Sequence, residues 1–224
     1  MRKLVMGLIA SLALPAFVAA DSVSFRIGYF EPRAESDLWV QNFQNLTMEK
    51  ADFNGFTFTG EADYFAGDHV NVCVGVGVYD KQVKTSDRDF EFEDGRPIRQ
   101  TITLRIVPLE GSIKLYPAGR EVPVIPYVGG GVGAYFWQYV ERGDFVVNRN
   151  SNDPRLISGV FTTETVSPGY HLKGGIQIPV GRSTVDAEVK YVRAKGNLSE
   201  DYDPDFEPFD LSGIQLNFGA SFWF

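Results

Sequence analysis

A single cysteine, Cys73, occurs in the 224 residues, so no internal disulfide forms and backbone pairing and burial must hold the fold. Cys73 stands among the valines of Val70 to Val78, the place of a small side chain facing a crowded interior rather than of a reactive thiol. Histidine is nearly as scarce. His69 and His171 stand in neither metal-ligand nor triad spacing, and Leu172-Lys173 follows His171 with no serine two positions on. The residues therefore call for no metal and no cofactor, and they point to a non-enzymatic protein. Beyond residue 20 no stretch reaches the roughly 18 consecutive apolar residues of a membrane helix, and long runs at helical spacing are rare.

Basic residues are the minority, 21 against 29 acidic. The balance shifts further once the first twenty residues are read as an export leader. Arg2 and Lys3 precede an apolar run from Leu4 to Val18, which ends in Val18-Ala19-Ala20 with cleavage expected after Ala20. The mature chain, 21–224, is expected to carry a formal charge of −10, which excludes a nucleic-acid partner. No linker-like stretch divides it, so a single domain is expected.

What the mature chain has in abundance is alternation with a period of two. Ile214, Leu216, Phe218, Ala220, Phe222 and Phe224 share one face, and Gln215, Asn217, Gly219, Ser221 and Trp223 the other. Val70, Val72, Val74, Val76 and Val78 repeat the pattern, as do Val23 to Tyr29 and Phe56 to Tyr64. Further strands are predicted over about 124–138, 160–179 and 184–194. Between them lies Ile102, Leu104 and Ile106 on even numbers, then Ile113 and Leu115 on odd ones, a slip that predicts a bulge at Val107-Pro108. The count is eight strands. Three links are tight (66–69, 117–121 and 180–183), and four are long and polar (31–54, 81–99, 140–159 and 195–211). Short and long links in strict alternation place all the turns at one end and all the loops at the other, the asymmetry of a transmembrane barrel.

The polar faces carry Arg26, Arg105, Lys114, Lys173 and Lys190 against Glu61, Asp63, Glu110, Asp186 and Glu188. Balanced charge beside Gly129, Gly131 and Gly133 and the rings of Tyr127, Tyr135 and Trp137 suits a narrow lumen filled by ion pairs. Tyr29, Phe30, Tyr64, Phe65, Tyr116, Tyr139, Tyr191, Phe222 and Phe224 lie near strand ends, where interface girdles run. In the first long link, Leu38, Trp39 and Phe43 form the apolar side of a short amphipathic helix that folds over the barrel mouth or lines a site for a greasy ligand. The acids between Glu200 and Asp210 lack the spacing of a calcium loop and read as a solvated external segment.

The ending Phe218-Gly219-Ala220-Ser221-Phe222-Trp223-Phe224 resembles the C-terminal assembly signal of bacterial outer-membrane barrels, with Phe218, Phe222 and Phe224 as its apolar positions. Together with Phe25 to Phe30 and Pro126 to Phe136, it makes the chain resemble small barrels of the OmpW and OmpA-transmembrane-domain kind. That resemblance implies an eight-stranded antiparallel up-and-down barrel in the bacterial outer membrane, in contact with lipid and with the assembly machinery. It also implies an envelope structural role or the passive passage of small hydrophobic molecules. A monomer is expected. The alternatives are an exported soluble β-barrel that holds an apolar ligand and, from a third class, a lipid-modifying barrel enzyme. Deleting Phe224, or exchanging it for Asp, is expected to lower the amount of assembled barrel in the membrane fraction. Heat-dependent gel mobility reads this directly, and wild-type levels of folded protein in both variants would rule the assembly role out.

Overall fold

The computed structural model describes residues 20–149, 154–202 and 204–224. The leader read over residues 1–20 therefore lies outside the described residues except for Ala20. Among the described residues nine strands form in chain order: β1 (Ser22–Pro32), β2 (Gly55–Phe65), β3 (Val70–Glu91), β4 (Pro97–Leu115), β5 (Ile125–Val147), β6 (Arg155–Val180), β7 (Ser183–Gly196), the two-residue β8 (Phe209–Asp210) and β9 (Gly213–Trp223). Each long strand pairs antiparallel with its neighbour. β1 pairs with both β2 and β9, and the β6–β7 pairing completes the circuit, so eight strands close into a barrel while β8 extends β7 at its outer end. Closure leaves no unpaired edge, which is what lets a sheet cross hydrocarbon. The tight turns at one end use glycine where the backbone needs positive φ, at Gly67 (φ 91°) and Gly181 (φ 66°).

Pairing in register puts the alternating apolar sets outside. Phe25 is 59 % exposed, Val132 69 % and Phe218 57 %, and together with Phe58, Val72, Ile113, Leu172 and Val185 they form an apolar belt. The belt stops at a polar row one residue deep. Asp80, Arg105, Gln138 and Glu164 are register partners on β3, β4, β5 and β6. Arg105 Nε donates to Asp80 Oδ2 at 2.8 Å, and Gln138 Nε2 donates to Glu164 Oε2 at 3.1 Å. Above that row the barrel is built like a water-soluble protein. Ile102, Leu104 and Val83 point inward into one apolar core, which Tyr79 and Ile106 continue just below the row, and Arg99, Thr101 and Thr103 point out.

This exchange corrects the expected bulge. β4 pairs with β5 residue for residue from Gln100 to Leu115, with Val107 opposite Phe136 and Pro108 opposite Tyr135, and no residue is extra. The parity of the apolar residues changes because the environment changes: lipid lies outside the lower half of the strand, and the core lies inside the upper half. Arg105 is displaced from the expected lumen for the same reason. Its odd parity turns it outward, into the polar row. Three girdle residues likewise turn inward: Phe30, Tyr116 and Tyr139 are buried inside the barrel, whereas Tyr29, Phe222 and Phe224 are exposed.

Two of the four long links are largely strand. β3 and β4 run on to a tight turn over 92–96, closed by Gly95 N–H to Phe92 O at 2.8 Å, and β5 and β6 are 23 and 26 residues long. Since about 9–11 residues cross a bilayer, the sheet projects well beyond the belt. The first link folds as expected into a helix, α1 (Asp37–Asn45), followed by a 3-10 turn (Lys50–Phe53). Leu38 and Trp39 are buried in the upper core and Phe43 packs against it, so α1 covers the barrel mouth.

Charge on the belt and charge in the polar row differ in cost. Val132→Lys, in mid-belt, is expected to destabilise the barrel by about 2–4 kcal/mol. Arg105→Ala is expected to cost no more than about 1 kcal/mol, as for an exposed pair. Urea unfolding in lipid vesicles gives both values, and a larger loss for Arg105→Ala would contradict the assigned faces.

Candidate functional site in the barrel lumen

The lower lumen is filled by charge. Arg26 on β1 donates Nε to Asp186 Oδ1 on β7 at 2.6 Å and Nη1 to Glu61 Oε1 on β2 at 3.0 Å. Lys114 on β4 sits 2.5 Å from Glu61 Oε1 and 2.8 Å from Asp63 Oδ1, and Lys173 on β6 pairs with Glu61 from the other side. Glu61 thus holds three cations from three strands. Lys190 pairs with Glu110, which also accepts a bond from Tyr135 Oη at 2.8 Å. Glycine makes the room, since a Cβ at Gly133 would lie 2.9 Å from Glu110 Cγ. Nine of the ten residues expected in the lumen meet there; only Arg105 does not.

Without Arg105 the lumen has five carboxylates against four permanent cations, and neutral donors make up the difference. Glu188 accepts from Tyr127 Oη at 2.8 Å and Asn217 Nδ2 at 3.0 Å. Asp186 also accepts from Ser221 Oγ at 3.0 Å, and Asp63 from Asn71 Nδ2 at 3.3 Å and Cys73 Sγ at 2.9 Å. The sequence pattern placed Tyr127 in the lumen, Cys73 facing the interior and Asn217 and Ser221 on the polar face, but did not mark these residues or Asn71 as donors to the acids. Glu61, Asp63 and Cys73 lie close enough to hold a metal ion, but the Lys114 ammonium already occupies the cation position between the two carboxylates. His171 Nδ1 is 3.5 Å from Glu110 Oε1, and neither ring nitrogen has a hydrogen-bond partner, so no serine is activated there.

Above the charges lies a tier of aromatic rings. Trp39 stacks on Phe209 (4.9 Å between centroids), and Phe209 on Trp137 (5.4 Å, 11° between planes), with Tyr139 against Phe209 at 4.7 Å. Trp39 Nε1 donates to Asp210 O at 3.1 Å and Trp137 Nε1 to Ser167 Oγ at 2.9 Å, so both indoles are fixed at their polar ends. The acids of the 200–210 segment do not converge: Glu207 pairs with Lys195 at 3.1 Å, Asp210 accepts from Ser212 N–H at 3.0 Å, and Asp203 lies outside the described residues.

Between the tiers the wall is interrupted. Val76 pairs with Leu109 and Tyr79 with Ile106, but Gly77 and Val78 have no partner on β4, because Pro108 stands opposite and lacks an N–H. A small cavity of about 20 Å³ lies behind the gap, lined by Thr57, Thr59, Tyr79, Pro108 and Tyr135 among others.

No protein-family model matches the chain, and no curated protein matches it either. Solved structures do. The outer membrane protein OprG from Pseudomonas aeruginosa is 13% identical and covers 92% of this chain and 96% of its own, with a TM-score of 0.54. Neisserial surface protein A (12% identical, 92% and 98% covered, TM-score 0.49) and the N-terminal β-barrel domain of Pseudomonas aeruginosa OprF (12%, 92% and 98%, TM-score 0.44) are also similar.

Because Glu61 is shared by Arg26, Lys114 and Lys173, Glu61→Ala takes one carboxylate from Arg26 and Lys114, which keep Asp186 and Asp63, and leaves Lys173 without its ion-pair partner, so a loss of about 3–5 kcal/mol is expected. Glu188→Ala, which strands mainly neutral donors, is expected to lose less. Equal losses in vesicle unfolding would mean that the ion pairs do not dominate the lumen. The architecture is that of the small outer-membrane β-barrels, an eight-stranded antiparallel up-and-down barrel with short turns at one end and long hairpins and loops at the other.

Proposed function

We propose that the chain is a non-enzymatic, monomeric protein of the bacterial outer membrane, delivered by its leader and held in the lipid by the apolar belt, with a lumen that acts as a seal. One observation carries this reading: a tier of matched charges and a tier of stacked rings follow one another along the same axis. An ion entering from outside meets Trp39, Phe209 and Trp137, then Glu61 with its three cations. An envelope structural role follows, with the long hairpins standing clear of the membrane. The same exterior speaks against a soluble barrel, which would have to expose the belt to water.

The gap opposite Pro108 favours a second reading, lateral passage of small hydrophobic molecules between the lumen and the lipid. It faces the apolar belt near its upper edge, where a molecule leaving the barrel would meet hydrocarbon. The two readings separate experimentally. In a planar bilayer the protein is expected to show no stable large-conductance openings, and a steady porin-like current would overturn the seal. Exchange of an apolar dye across vesicles carrying the protein is expected to be slowed several-fold by Pro108→Val, which restores the missing N–H. Unchanged exchange would leave the structural role alone.

A further inference from the structure

Beyond the ring tier, at the outer end of the barrel, a pocket of about 280 Å³ opens to the outside. Its apolar wall is formed by Leu38 on α1, Phe145 on β5, Phe161 on β6 and Phe206, with the Phe145 and Phe161 rings edge to face at 4.8 Å. Facing them is the carboxyl of Glu141, only 7 % exposed. Its Oε1 accepts from Asn42 Nδ2 at 2.5 Å and from Tyr139 Oη at 2.8 Å, both neutral donors. Among the described residues no cation pairs with it. The lining cation, Arg149, is held by Asp87 and Asp89, and the lining Asp201 adds negative charge. Tyr202 lines the same pocket, nine-tenths buried, and its hydroxyl has no hydrogen-bond partner.

A buried carboxyl with neutral partners only is costly to ionise, and burial pushes Glu141 above the ordinary carboxylate range, while the Tyr139 and Asn42 bonds offset this in part. Tyr202 is pushed up as well, by burial and by the negative charge of Glu141 and Asp201, so its hydroxyl stays protonated. What this arrangement lacks is a positive group at the polar end, with something apolar to fill the aromatic end.

We propose that the outer pocket binds a small organic cation with an apolar or aromatic body. Its ammonium is held by Glu141 and the Tyr202 hydroxyl, and its body lies between Phe145, Phe161 and Phe206. A cation supplies the charge that Glu141 lacks, and the ring faces add attraction for it. An anion is repelled by Glu141 and Asp201, and a neutral molecule of the same shape gains only the apolar contact. The site lies outside the seal and does not depend on whether the lumen conducts.

The test uses the full protein in lipid nanodiscs, titrated calorimetrically with benzylamine, benzyl alcohol and benzoate. Benzylamine is expected to bind roughly tenfold or more tightly than benzyl alcohol, as a charge-assisted bond provides, and benzoate more weakly than either. The preference for the amine is expected to grow as pH rises through the Glu141 titration, because the carboxylate is the binding form. Glu141→Gln should abolish the preference while keeping the heat-dependent gel mobility of a folded barrel. Phe161→Ala should weaken amine and alcohol alike. If Glu141→Gln fails to fold, Tyr202→Phe serves instead and should weaken the amine several-fold. Equal binding of amine and alcohol, a preference that survives Glu141→Gln, or binding of neither would overturn the proposal.

Discussion

Hydrocarbon offers no hydrogen bonds, so every backbone N–H and C=O at that depth must find its partner in a neighbouring strand. Pairing around eight closed strands meets that demand except at the gap opposite Pro108, and the side chains are then free to follow their surroundings. Below the row of Asp80, Arg105, Gln138 and Glu164 the strands are apolar outside and charged within. Above it they reverse. One backbone lattice thus supports two opposite distributions of polarity, and the reversal requires no bulge, only a change in which face of each strand carries the apolar residues.

The charged tier is a demanding way to fill space. Ions removed from water repay their desolvation only when every lone pair and proton is matched, and a well-packed apolar filling is often as stable. Here the lipid already claims the apolar face, and the inward face is narrow enough for the pairs to interlock around Glu61. Where cations run out, at Glu188, a tyrosine and an asparagine complete the set. Matching by neutral donors also explains why a count of formal charges mispredicts the balance by one once Arg105 is outside.

Much of this could be read from sequence wherever one environment persisted along a strand. β9 and the first half of β3 alternate cleanly because lipid lies on one side throughout, and nine of the ten lumen charges followed from parity alone. The Val107-Pro108 region misled for the opposite reason: a period-two pattern reports only a contrast between faces, and the meaning of that contrast inverts at the membrane surface. The projecting parts of β3 to β6 read as loops because their outward residues are mostly polar on β3 and β4, and on β6 the exposed Leu156, Ile157 and Val160 do not alternate in a sustained period of two. The outer pocket was not legible at all, except for Leu38, because Asn42, Glu141, Phe161 and Tyr202 come from four separate stretches brought together only by the closed fold.

Arg26 joins partners far apart in the chain: Asp186 lies 160 residues away and Glu61 only 35, while Ser24 meets Ser221 at a separation of 197. β1 has Glu61 from its neighbour β2 early, but its guanidinium gains Asp186 only once β7 has arrived beyond β9. A half-inserted sheet would hold unpartnered charge against the lipid tails, so intermediates with some strands in the bilayer and others waiting outside are penalised. Closure of the sheet thus also completes the charge balance, since the strand that reaches across β9 to neutralise β1 is β7, from the far end of the chain.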